Sequence, residues 1–114
     1  MIDESSILAT IKKQLLLVDQ DAFDEDVILL INAAFATLNQ LGYGPDKTFS
    51  IKGAEEKWID FTTDDMLATA QSYIYISVRM VFDPPDRSNI LEALKELKKE
   101  QESRLNIQGE GYRT

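Results

Sequence analysis

The chain has 114 residues, 44% hydrophobic and 28% charged, with 20 acidic side chains against 12 basic ones and a formal charge of −8. That length fits one domain able to bury roughly 65% of the surface its unfolded form exposes, a core that needs no staples. Cysteine and histidine are both absent, which excludes disulfides and thiolate metal sites and removes the commonest general base and zinc ligand, while the acidic balance disfavours binding to phosphate backbones.

The opening MIDESSILAT is acidic and lacks the basic flank and apolar core of a signal peptide, so none is expected. A first helix is predicted over about residues 3–18, where Ile7, Leu8, Ile11, Leu15 and Val18 recur at helical spacing behind a Ser5 or Ser6 cap. An acidic link follows, containing Asp19, Asp21, Asp24, Glu25 and Asp26. The second helix is predicted over 24–41, with Asp24 as N-cap and Glu25 and Asp26 favoured in its first turn by the helix dipole. Val27, Ile31, Ala34, Phe35, Leu38 and Leu41 form its core stripe, and Ile28, Leu29, Leu30 and Ala33 widen the apolar surface well beyond it. The apolar run at 27–31 is the longest in the chain and falls far short of the ~18 residues of a membrane span. Gly42 supplies the left-handed residue that ends this helix.

Residues 43–63 read as irregular. Gly44-Pro45-Asp46 marks a turn, the alternation over 48–51 suits a short strand or extended arm, and 55–61, with Trp58, Ile59 and Phe61, suits a helical turn folded back on the core. A loop this long inside one domain is commonly functional. The third helix is predicted over 63–82, capped by Thr63 or Asp64 and stopped by Asp83-Pro84-Pro85. Its stretch 73–78 is aromatic and β-branched enough for a strand, but the apolar period from Met66 to Phe82 is helical. The fourth helix is predicted over about 87–107. Ile90, Leu91, Leu94, Leu97 and Leu105 make a thin stripe that lapses between Leu97 and Leu105, so its second half is expected to project from the bundle. Residues 109–114 are expected to be a flexible tail. The fold class is therefore all-α: a small four-helix bundle over residues 1–108, with a long irregular loop between helices two and three.

No motif carries catalytic chemistry. Counted as a calcium loop from Asp19, the glycine position holds Asp24 and the twelfth position holds Leu30, so the acidic link reads as helix capping. Glu55, Glu56, Asp60, Asp64 and Asp65 show no partner that would raise a carboxylate pKa and read as a solvated rim. Gly42-Tyr43-Gly44 lacks the lysine of a phosphate loop, and no histidine exists to activate a serine. Lys95, Lys98 and Lys99 alternate with Glu92, Glu96 and Glu100, the pattern of a solvated helix face. Tyr73, Tyr75, Met66 and Met80 read first as core and next as subunit interface. No enzyme, cofactor or metal site is expected. The surplus apolar surface of helices two and three, with the loop, gives a candidate subunit interface at Ile28, Leu29, Phe49, Ile51, Trp58, Tyr73, Ile76 and Met80; the arm at 49–51 is a candidate for strand addition to a neighbour.

Several stretches together carry a family likeness: 27–32 (VILLIN), 38–45 (LNQLGYGP), 49–51 (FSI), 58–61 (WIDF), 72–85 (SYIYISVRMVFDPP) and 103–108 (SRLNIQ). Over residues 7–107 the chain resembles the small head–tail connector (adaptor) proteins of tailed bacteriophages and prophages. The resemblance implies a non-enzymatic helical protein of the virion neck, made in the bacterial host cytoplasm. Such proteins form a ring, expected to be a dodecamer, under the portal protein. The ring extends the channel through which DNA passes without specific binding, and docks the tail-completion (stopper) protein; no membrane is involved. The family's use of the C-terminal helix and tail for portal binding points to Leu97, Arg104, Leu105, Ile107, Tyr112 and Arg113. Because copies charged −8 repel one another, the chain alone is expected to be monomeric or weakly associated, with rings forming on a partner. The competing reading is an acidic DNA mimic or inhibitor of a basic host protein; it needs carboxylates spread along one face, whereas here they cluster at helix starts.

Overall fold

The computed structural model describes residues 5–113, and side chains as far as Asn106. Among the described residues five helices follow in order: α1 Ile7–Gln14, α2 Asp24–Gln40, α3 Trp58–Phe61, α4 Leu67–Phe82 and α5 Ser88–Arg113. Four are the long helices expected, and α3 is the helical turn expected within the loop. Among the described residues there is no strand, only one antiparallel bridge between Ser6 and Lys57.

Ser6 caps α1 by accepting from the Ala9 N–H at 3.2 Å. The helix stops at Gln14, four residues before the expected end, because Leu16 takes a left-handed φ of 63°. The Leu16 N–H bonds Lys13 O at 3.1 Å and the Leu17 N–H bonds Lys12 O at 2.8 Å, the two bonds of a Schellman stop. Val18 thus lies outside the helix and is exposed. α2 begins at Asp24 behind Phe23, which makes no side-chain cap. Asp24 is therefore not the N-cap: its carboxylate lies 2.7 Å from the ammonium of Lys12, which also takes Asp21 at 2.9 Å. The acidic link is drawn down onto α1 by a buried lysine. α2 ends as expected at Gly42, φ 86°, with the Gly42 N–H on Asn39 O and the Tyr43 N–H on Leu38 O, each at 3.0 Å.

The segment between Gly42 and α3 is irregular but fixed. Asn32, in the middle of α2, takes both the N–H and the C=O of Ile51, at 2.8 and 2.9 Å. Of the short strand or extended arm expected over 48–51 the chain forms the arm, and this pairing leaves no free backbone edge at Ile51. Phe49 packs edge-on to Phe35 at 5.0 Å between ring centroids, and Phe61 fills the gap to Phe35 at 4.8 Å and Tyr43 at 5.8 Å. The loop returns to α1 through the Ile7 N–H on Glu56 O and the Trp58 N–H on Ser5 O.

α4 is helical through the aromatic, β-branched stretch 73–78, so the period of its apolar residues outweighs their strand propensity. It packs between α2 and α5. Its cap is Met66 rather than Thr63 or Asp64, and the Met66 N–H bonds Asp64 Oδ1 at 2.8 Å. The second half of α5 does not project: Leu105 is fully buried, Gln101 donates to Ser72 Oγ at 2.9 Å, and Asn106 donates to Leu41 O at 3.0 Å. Polar side chains make this seam, which is why an apolar stripe lapses there. The exposed half is the first, with Ile90 and Leu97 toward solvent. The core runs through Ile7, Ile11, Val27, Ile31, Phe35, Leu38, Tyr43, Ile74, Val78 and Leu105. The tail expected over 109–114 falls where side chains lie outside the described residues.

Candidate assembly surfaces

The candidate interface residues separate by depth. Ile51, Trp58 and Tyr73 are buried in the chain's own core, and Ile76 is buried beside it. Each polar group among them has an internal partner: the Trp58 indole N–H donates to Thr10 Oγ1 at 3.0 Å, and the Tyr73 hydroxyl donates to Glu102 Oε2 at 2.8 Å. Ile28, Phe49 and Met80 are half-buried, and Leu29 is 68% exposed. Much of the apolar surplus of α2 and α4 is thus covered internally.

What stays open lies partly elsewhere. Leu16 is 85% exposed, Ile59 67% and Val81 67%, and none of these three was singled out as an interface residue from sequence. A signal for Leu16 existed: three consecutive leucines, 15–17, cannot all face one side of a helix. Leu15 and Leu17 are buried, and the helix stop turns Leu16 outward.

Of the candidate portal-binding residues, Leu97 is exposed on α5, Arg104 pairs with Glu100 one turn earlier, and Leu105 sits in the core. The side chains of Ile107, Tyr112 and Arg113 lie outside the described residues.

The acidic rim has structural work. Glu56 accepts from the Lys52 N–H at 2.7 Å and the Gly53 N–H at 3.3 Å, Asp60 accepts from the Lys57 N–H at 2.9 Å, and Asp64 accepts from the Tyr43 hydroxyl at 2.5 Å. Desolvation acts to raise the Glu56 pKa, but the backbone donors outweigh it and hold the group below the usual carboxylate value. Burial acts to lower the Lys12 pKa, yet the hydrogen bonds to Asp24 and Asp21 prevail and raise it. Burial, then Glu102, push the Tyr73 phenol well above its ordinary value. No cluster of three potential metal-ligating side chains occurs among the described residues, and no helix among them is long and apolar enough to cross a membrane.

Clefts lie on both sides of α4. One of about 550 Å³ is bordered by Thr10, Lys13, Gln14, Leu16, Trp58 and Gln71. A neighbouring one of about 110 Å³ shares Leu16 and reaches Tyr75 and Arg79. A third, about 140 Å³, lies between α2 and α4 with Lys98 of α5 at its edge. Gln14 and Leu16 border both of the first two.

Compared with known proteins, the chain matches the family model described as phage connector protein over residues 7–112. No curated protein and no solved structure matches it.

Proposed function

The chain belongs to the phage connector protein family, and from that premise we propose that it is a structural head–tail connector. In this role it assembles as a ring, a dodecamer, beneath the portal protein, extends the channel for DNA and receives the tail-completion (stopper) protein. The observation that carries the proposal is the match across residues 7–112. Apolar side chains left open at Leu16, Leu29, Val81 and Leu97 support it, since a subunit of a closed ring needs two different complementary faces.

The interface draws on the accessible members of the candidate set: Leu29, with Ile28, Phe49 and Met80 beside it. Ile51, Trp58, Tyr73 and Ile76 act from within, by fixing the loop and α4 that carry the surface. Portal contact falls to Leu97 and Arg104 on α5, continued by Ile107, Tyr112 and Arg113, with Leu105 anchoring the helix. The net charge of −8 opposes assembly of free chains and suits a channel lining that does not hold DNA.

Electron microscopy of the purified chain, alone and mixed with the portal protein encoded in the same genome, tests this. Rings seated on the portal, with the chain monomeric by light scattering when alone, are expected. Failure to bind the portal or any other head or tail component would overturn it.

A further inference from the structure

Leu16 and Gly42 occupy the same position in the same motif. Each stands one residue beyond a helix cap, each has positive φ (63° and 86°), and each is followed by a residue whose N–H bonds a carbonyl five residues back. Glycine takes this conformation freely, whereas leucine is strained there. At Leu16 no core packing compensates, because the side chain is 85% exposed. A strained residue whose side chain points into water invites a functional explanation.

The far side of α4 offers a matching receptor. Gln71, Tyr75 and Arg79 border the clefts beside Leu16, while Tyr73, Ser77 and Val81 line the third cleft. The two sets are two residues out of phase, which on a helix is roughly 200° of rotation, so they face opposite ways. The third cleft also has Leu30, Ala33 and Ala34 on its wall and measures about 140 Å³, close to the ~150 Å³ in which an apolar protein cavity holds a benzene ring. Lys98 on its edge lies 5.7 Å from the centroid of Tyr73 and has no carboxylate partner among the described residues. The segment that follows Leu16 carries the opposite charge, beginning with exposed Asp19.

We propose that Leu16 of one copy seats in the α2–α4–α5 cleft of the next copy, bringing Asp19 toward Lys98. Knob and receptor lie on opposite sides of one helix, so the contact runs head to tail and can close into a ring. The inference rests on the connector reading and names the contact by which neighbouring copies join.

Two kinds of variant test it in portal-bound rings. Leu16→Gly relieves the strain and removes the knob, so Tm of the isolated chain rises by several degrees while ring assembly weakens roughly tenfold or more. Leu16→Met keeps an apolar knob and assembles like the parent. Since the chain has no cysteine, the pair Val18→Cys and Ala33→Cys in one chain gives, on oxidation, a covalent ladder longer than a dimer. Dimers from Val18→Cys alone would mean a symmetric contact and overturn the proposal. Rings that form normally with Leu16→Gly, and whose double-cysteine chains do not ladder, would overturn it while leaving the connector role standing. Absence of rings from the parent chain would remove both.

Discussion

Asn32 clasps Ile51 by both backbone polar groups: its Oδ1 accepts the Ile51 N–H at 2.8 Å and its Nδ2 donates to the Ile51 C=O at 2.9 Å. Only one orientation of the amide satisfies both bonds. A helix side chain thereby does what a partner strand does in a sheet, and Ile51 is held 2% exposed at the end of an otherwise irregular arm. Replacing Asn32 by Ala leaves both groups of a buried residue unpaired, at a cost of about 2–3 kcal/mol. Urea unfolding of Asn32→Ala measures the loss, and amide exchange at Ile51 accelerates well beyond that at Ile74. A cost under about 0.5 kcal/mol would show that the arm is held by its aromatic contacts alone.

Gly44 lets the aromatic cluster close. Its φ is 92°, and a methyl group there would lie 2.6 Å from Cε1 and 2.9 Å from Cζ of the Phe61 ring. Phe61 is buried against Phe35, Phe49 and Tyr43, so the ring has little room to yield. Gly44→Ala is expected to cost about 2–4 kcal/mol from strain and overpacking combined. In a Phe61→Leu background, which removes those ring atoms, the same change costs less, and the difference is read from a double-mutant cycle by thermal unfolding. Equal costs in both backgrounds would place the whole effect in the backbone conformation.

The helices were legible in sequence because their apolar residues repeat. Leu67, Ala70, Ile74 and Val78 outweighed the strand-like Tyr73–Val78 chemistry, and Gly42 and Pro84 marked two of the stops. The helical turn at Trp58–Phe61 was legible for the same reason. What periodicity does not carry is pairing between distant polar residues. Asn32 looks like a solvent-facing asparagine, Lys12 like a surface lysine and Gln101 like part of a solvated run, yet each binds something 9 to 29 positions away. Tyr73 was legible as core and Trp58 as part of a turn folded back on it; the depth of Ile51 was not, because the arm that carries it has no period from which its position can be read. The exposure of Leu29 and Leu97 was legible. At Leu16 it depended on a backbone conformation that leucine rarely adopts.

Lys12 joins α1 to the start of α2 through Asp21 and Asp24, with its own side chain only 9% exposed. Burial alone would lower its pKa, but the two carboxylates outweigh that, so the folded value lies above the usual 10.5. A group raised on folding contributes stability that is fully present below its unfolded pKa and is lost as pH rises through the folded one. Lys12→Met is therefore expected to be less stable than the parent by about 1–2 kcal/mol at neutral pH, with the gap narrowing above pH 10.5. Urea midpoints of both proteins across that range provide the measurement. A gap independent of alkaline pH would assign the effect to lost packing of the lysine stem.

Tyr73 links α4 to α5. Its ring is buried and its hydroxyl donates to Glu102 Oε2 at 2.8 Å, so burial first and the carboxylate second hold the phenol protonated well above its ordinary pKa. The sign is that of Lys12: the contribution is complete below the unfolded value near 10 and disappears as pH climbs through the folded one. In an alkaline titration followed by ultraviolet absorbance, Tyr73 should ionise only as the protein unfolds, and Tyr73→Phe should reduce the amplitude of that late step. Tyr73→Phe also leaves Glu102 without its buried donor, at a cost of about 1–2 kcal/mol. Since Gln101 and Glu102 are neighbours on the same polar seam, amide exchange in α5 near Leu105 should quicken in Tyr73→Phe more than exchange in α2 near Ile31. Uniform quickening across both helices would mean that Tyr73 contributes to the core as a whole and that the seam holding α5 lies elsewhere.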